Sequence, residues 1–136
     1  MIVLDASLMV ARILREPHDG VDQDLFTLLD NSQIVVPSHW PIEIANALRT
    51  NIRRGRIAQS DVQAIVGFLA NFQLTVSAPI QLDEIEALTV FALTQRLTAY
   101  DAAYVRMAVE HGARLATVDA DMRATAQRLN IPLLPS

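Results

Sequence analysis

The chain has no lysine and no cysteine. All eleven of its basic residues are arginines, and that absence removes whole classes of chemistry. A Walker-type phosphate loop, a Schiff-base enzyme and a receiver-like phosphoacceptor domain each need a lysine. Without cysteine there is no disulfide framework, no thiol catalysis and no thiolate metal site, and the cytoplasm is weakly favoured. The three histidines, His18, His39 and His111, lack metal-ligand spacing and read as structural or surface residues. Ser7 stands in no nucleophile elbow, and no glycine-rich phosphate loop occurs. No apolar run approaches the ~18 residues of a spanning helix. Met1 to Leu4 lead into Asp5 with no basic prelude, so a signal peptide is not expected and a cytoplasmic location is.

What is present fits one domain over residues 1–136, since chains of ~100 to 200 residues usually form a single core. With 51% hydrophobic and 19% charged residues, the chain calls for strands buried on both faces and a surface covered by a partner, which makes a homodimer a reasonable expectation. The net charge of -4 offers no global attraction for nucleic acid, so a polyanion would need a local arginine patch.

Short apolar runs alternate with stretches of helical period, the pattern of strand and helix units around a parallel sheet. Strands are expected at Ile2–Leu4, Ile34–Val36, Leu74–Val76 and Arg114–Val118, with an edge strand at Pro132–Leu134. A helix from Ala6 to Leu14 should stop near Pro17 and another run from Asp22 to Leu29. Ser38 is placed to cap a helix through Trp40, Ile44 and Leu48 to Arg54, with Pro41 tolerated in its first turn. Gly55 ends that helix, and Ser60-Asp61 opens its antiparallel partner, reaching about Asn71. Further helices are expected over Leu82–Thr94, Tyr100–His111 with Gly112 as C-cap, and Ala120–Leu129.

Four acids stand out from this frame. Asp5 and Asp119 each follow an apolar strand, at the edge of a parallel sheet where ligands bind. Glu43 is the one acid between Gln33 and Leu48, with Asn46 a turn away, and its burial is costly unless a positive group meets it. Asp101 opens an alanine-rich helix. If the fold gathers them, their repulsion needs a cation. An oxygen-only donor set suits Mg2+ or Mn2+, and such ions support phosphodiester hydrolysis. Each acid taken alone also has a plain reading: Asp5 and Asp119 as N-caps, Glu43 as a carboxylate pointing to solvent beside Asn46, Asp101 as the partner of Thr98 in a capping box, and Asp121 as a first-turn acid complementing the helix dipole.

The segments Ile2-Val3-Leu4-Asp5-Ala6-Ser7, Pro41-Ile42-Glu43-Ile44-Ala45-Asn46-Ala47-Leu48, Leu97-Thr98-Ala99-Tyr100-Asp101-Ala102-Ala103-Tyr104 and Leu115-Ala116-Thr117-Val118-Asp119 resemble, in order and spread, the PIN-domain ribonucleases. Among these the chain is most similar to the small VapC-type toxins of toxin-antitoxin pairs. The resemblance implies a three-layer α/β/α fold with a central, mainly parallel sheet of four or five strands. It implies Mg2+ or Mn2+ held by Asp5, Glu43, Asp101 and Asp119, endonucleolytic cleavage of RNA, a homodimer, and a small antitoxin that inserts a peptide into the acidic pocket. By the same likeness Ser7 matches a hydroxyl that orients a metal-bound water, against a plain role in the first helical turn. Asp119 is favoured over Asp121 as ligand. PIN domains that process RNA without being toxins, and a catalytically inactive PIN-like binding module, are the alternatives.

A haloacid-dehalogenase-like phosphatase also opens with a strand and an aspartate, but it needs a second aspartate where Ser7 stands, and a lysine. Arg49, Arg53, Arg54 and Arg56 form one local basic cluster, suited to RNA phosphates or to complementing a helix end. Trp40, Tyr100 and Tyr104 suit core packing better than base stacking.

Overall fold

A computed structural model describes residues 1–14 and 23–136. The expected stop near Pro17, the helix start at Asp22, and His18 lie outside the described residues. The order is β1 (Ile2–Leu4), α1 (Ala6–Ile13), α2 (Gln23–Asp30), β2 (Ile34–Val36), α3 (Trp40–Arg53), α4 (Val62–Leu69), β3 (Leu74–Val76), α5 (Ile85–Gln95), α6 (Ala99–His111), β4 (Arg114–Ala116), α7 (Ala120–Arg128) and β5 (Leu133–Leu134). Single 3-10 turns at Gln59–Asp61 and Leu82–Glu84 lead into α4 and α5.

The five strands pair in the order β3-β2-β1-β4-β5, every pair parallel. Parallel neighbours need crossovers, and crossovers are right-handed. The chain runs from β1 through β2 to β3 in one direction, then returns past them to β4 and β5. Right-handedness therefore puts α1 to α4 on one face and α5 to α7 on the other. The contacts of α1 with α3, and of α6 with α5, α7, β1 and β4, agree with this. The result is a three-layer α/β/α fold.

The central strands are apolar throughout because both faces are covered: Ile2, Val3, Leu4, Ile34, Val36, Leu115 and Ala116 are buried. Each fully buried aliphatic side chain contributes ~1.5–3 kcal/mol. The outer strand β3 is half open to solvent, as an edge strand can be.

Two local expectations need correction. Ser38 does not cap α3. The Trp40 amide bonds back to the Pro37 carbonyl at 3.0 Å, a turn that leaves His39 as N-cap with no side-chain cap bond. Pro41 in the first turn removes one of the amides a cap would serve. Strand β4 ends at Ala116 rather than Val118, because its partner β1 ends at Leu4. The Asp5 amide takes the Ala116 carbonyl at 3.0 Å, and there the chain turns into α1. Gly112 closes α6 in the left-handed conformation, as expected.

Candidate acidic active site

Strands β1 and β4 lie side by side, with Leu4 opposite Ala116. Their carboxyl ends therefore deliver Asp5 and Asp119 to the same sheet edge. Both are also N-caps. Asp5 Oδ1 accepts the Ser7 amide at 3.2 Å, and Asp119 Oδ1 accepts the Met122 amide at 2.8 Å. Capping and site-building thus coincide, since a cap fixes the carboxylate at the amino end of a helix, where anions are favoured.

Asp5 is only 5% exposed and is held on several sides. The hydroxyls of Ser7 and Thr117 both donate to its Oδ2, each at 2.8 Å. Burial pushes its pKa up; the Thr117 and Ser7 hydrogen bonds work against this, and the nearby Glu43 carboxylate adds to it. Thr117, fully buried, also takes the Asp119 amide on its hydroxyl at 3.0 Å, so one side chain ties the two aspartates together. The sequence reading missed Thr117. Its signal was a hydroxyl two residues before Asp119, inside an otherwise apolar run.

Glu43, in the first turn of α3, faces the same edge. The Tyr104 hydroxyl of α6 donates to its Oε1 at 3.0 Å and accepts the Ala6 amide at 3.3 Å. Tyr104 is completely buried, so the expectation of core packing holds for its ring, while its hydroxyl joins α6 to α1 and α3. Its own ionisation is strongly suppressed, by burial first and then by Glu43 and Asp5.

His39 Nε2 stands 2.9 Å from Glu43 Oε1, at ion-pair distance but outside hydrogen-bond geometry; the contact is electrostatic. His39, read as a structural or surface residue, is the N-cap position of α3 and lies against Glu43. The signal was its position four residues before Glu43 on one helical face. The His39 ring meets Tyr104 and Tyr100 edge-on, at centroid distances of 5.2 and 5.4 Å. Tyr100 itself is exposed and not a core residue.

Asp101 completes the group from the start of α6. Its amide donates to the Thr98 hydroxyl at 3.2 Å, which is the capping role expected of Thr98. Its carboxyl is pushed above the usual range by burial first, then by the charges of Asp119 and Asp5, with Thr98 drawing it back and Glu43 adding to the rise. Asp101 thus feels acids from three other segments, Asp119, Asp5 and Glu43.

The chain matches the family described as "PIN domain" over residues 2–133. The chain belongs to the PIN-domain family. Among solved structures, PAE2754 from Pyrobaculum aerophilum aligns with a TM-score of 0.70 at 20% identity, covering 98% of this chain and 83% of that one. FitAcB from Neisseria gonorrhoeae aligns with a TM-score of 0.58 at 17% identity, covering 98% and 96% respectively. At such identities the likeness speaks for the fold. No curated protein matches the chain. PIN domains are generally nucleases, and the family generally uses a divalent metal.

The donor set of this PIN domain fits such an ion in kind. Its ligands would be carboxylate oxygens, those of Asp5 and Asp101 destabilised as anions by burial first and then by neighbouring carboxylates. Among the described residues, no three carboxylates or imidazoles close into a ready cage. Mg2+ needs none, since it keeps several waters and binds through one or two carboxylates.

The remaining candidates separate. Ser7 orients Asp5 directly. Asn46 is exposed on α3, one turn past Glu43. Asp121 lines a different recess with Thr94, Arg96 and Arg128. The four arginines divide between two surfaces. Arg49 and Arg53 border an apolar groove of about 650 Å³ between α3 and α4, floored by Trp40, Ile44 and Leu48. Arg54 and Arg56 line a trench of about 340 Å³ between α1 and α3 that also contains Ser7 and Glu43. No described helix is long and apolar enough to cross a membrane.

Proposed function

We propose that this PIN domain is a Mg2+- or Mn2+-dependent endoribonuclease, the toxin of a type II toxin-antitoxin pair, acting in the cytoplasm. The observation that carries the reading is geometric: Asp5 and Asp119 leave the carboxyl ends of the adjacent strands β1 and β4 tied through the Thr117 hydroxyl, and Tyr104 joins Glu43 to the Ala6 amide at the same edge. In this reading the four carboxylates hold the ion. When bound, it supplies charge neutralisation and Lewis-acid polarisation at the scissile phosphate.

The protein's own groups do the positioning. Ser7 and Thr117 fix the Asp5 oxygens, and Tyr104 fixes Glu43. These hydroxyls donate to the carboxylate oxygens and so fix the direction in which the acids point. Toxin membership rests on the sequence motifs shared with VapC-type chains. A homodimer is supported by the uncovered apolar side chains Leu82, Ile85, Val90 and Leu93 in and just before α5, and a small antitoxin by the open apolar groove of α3 and α4 beside the acidic pocket.

Cleavage of RNA by the purified protein should need Mg2+ or Mn2+, vanish in EDTA and return on adding metal. Asp101→Asn should lose cleavage with an unchanged circular dichroism spectrum. Cleavage that survives EDTA, or full turnover by Asp101→Asn, would sink the reading.

A further inference from the structure

The trench between α1 and α3 poses an electrostatic problem. A strand of RNA that brings a phosphate to four carboxylates is repelled by them, and the chain's net charge of -4 gives no general attraction to offset this. Something along the strand's path has to supply it. Residues 43, 47, 51 and 54 are spaced four, four and three apart, so they form one stripe of α3 and its C-cap, and Glu43, Ala47, Asn51 and Arg54 all line the trench. The acidic end and the basic end therefore belong to one surface feature. They lie eleven residues apart, roughly 16 Å along the helix axis.

Arg54 and Arg56 are both exposed, but the turn that carries them is fixed against the end of α3. Gly55 takes a left-handed φ of 72°, which turns the chain back at the end of α3, so that the Arg56 amide bonds to the Asn51 carbonyl at 2.9 Å. Arg56 Nη1 lies 3.5 Å from Asn51 Oδ1, and Asn51 is itself 7% exposed and anchored through Nδ2 to the Ala47 carbonyl at 2.7 Å. The guanidinium is thereby held at the trench mouth beside Arg54 before any ligand arrives, and a planar fork loses less freedom per bond than a lysine would.

We propose that Arg54 and Arg56 form a second phosphate subsite, holding an RNA strand a few nucleotides from the bond cut at the acidic site, with Asn51 as the residue that positions Arg56. The proposal rests on the nuclease reading above. At ~3.4 Å per nucleotide of a stacked strand, the distance along the stripe corresponds to about five nucleotides, fewer if the strand is stretched.

The test compares two double variants on a single-stranded RNA of about a dozen nucleotides, with Mg2+ present. Arg54→Gln/Arg56→Gln should raise KM at least tenfold with little change in kcat. It should also flatten the plot of log affinity against log salt by about 0.7 for each phosphate that is no longer neutralised. Arg54→Lys/Arg56→Lys should restore the salt slope. Arg49→Gln/Arg53→Gln, on the apolar groove, should leave KM within about twofold of wild type. Equal losses in both Gln pairs overturn the subsite in favour of a diffuse basic patch. A lowered melting temperature with unchanged KM assigns the pair to the helix dipole instead. An effect confined to binding of an inhibitory protein assigns it to that partner. In all three cases the nuclease reading survives, whereas a wild-type protein that neither binds nor cuts RNA takes both down.

Discussion

Helix α3 carries two stripes one residue out of phase, and they have opposite physical characters. Trp40, Ile44, Leu48 and Ile52 line the apolar groove toward α4, and the first three are buried against the core. Glu43, Ala47, Asn51 and Arg54 line the trench toward α1. The first stripe is held by burial and tolerates any side chain of similar size and apolarity. The second is held by directed bonds, Tyr104 to Glu43 and Asn51 to Ala47, and depends on atom type. A helix of fourteen residues can thus stabilise the fold and shape the site, because its period keeps the two tasks on separate faces. The consequence is that stability and activity should respond to different residues a single position apart.

Glu43→Gln should give the largest separation. It keeps the shape of the side chain and still accepts from Tyr104, so the melting temperature should hardly move. Cleavage should fall by more than about 100-fold, beyond the 10–100-fold typical of residues that only support metal ligands. Comparable losses of stability and activity would erase the division between the stripes. Leu48→Ala sharpens it from the other side. It should cost about 3 kcal/mol of folding stability, as large-to-small changes in cores do, while kcat for the folded fraction stays near wild type. Denaturant titration and active-site-normalised kinetics measure the two.

Tyr104→Phe is a smaller effect that joins both tasks. Losing the hydroxyl leaves the Ala6 amide without its partner and Glu43 without its donor. The expected result is ~1–3 kcal/mol of stability together with about a tenfold fall in cleavage. A fall in stability alone would mean that Glu43 is aimed by α3 itself and not by α6.

These residues also show where the sequence was readable. Strands β1 and β2 appeared with their full bounds because an apolar run of three, closed by a polar residue or proline, has few other readings, and β3 because Leu74 and Val76 flank a β-branched threonine. Asp5 and Asp119 were visible for the same reason, as charges at the ends of such runs. The roles of Thr117 and the hydroxyl of Tyr104 were not, since each depends on a contact between distant segments: Thr117 meets Asp5 across 112 positions, and Tyr104 meets Glu43 across 61. The four arginines show the limit from another direction. In sequence they form one cluster, and only the helical phase and the turn at Gly55 reveal that they serve two surfaces.

The smallest effect concerns Asp101, at the start of α6, and tests whether the neighbouring carboxylates repel it in the metal-free protein. Its carboxyl is pushed above 3.8 by burial, then by Asp119 and Asp5. The folded state therefore holds a proton there more tightly than the unfolded chain. That contribution to stability is fully present below the unfolded value and is lost as pH rises through the raised folded one. At pH 7, without metal, the charge works against folding, and Asp101→Asn should melt higher than wild type. Because Asp101 is only partly buried, screening limits the gain to about 1 kcal/mol, or about 3 °C in a domain of this size. The gap should close as pH falls toward 4, and reverse at pH 7 when Mg2+ is added, since only wild type then binds the ion fully. A first-turn anion is favoured by the helix dipole by about 0.3–1 kcal/mol, which opposes the trend. If Asp101→Asn instead melts lower than wild type at pH 7 without metal, the dipole outweighs the neighbouring carboxylates, and Asp101 is a cap before it is anything else.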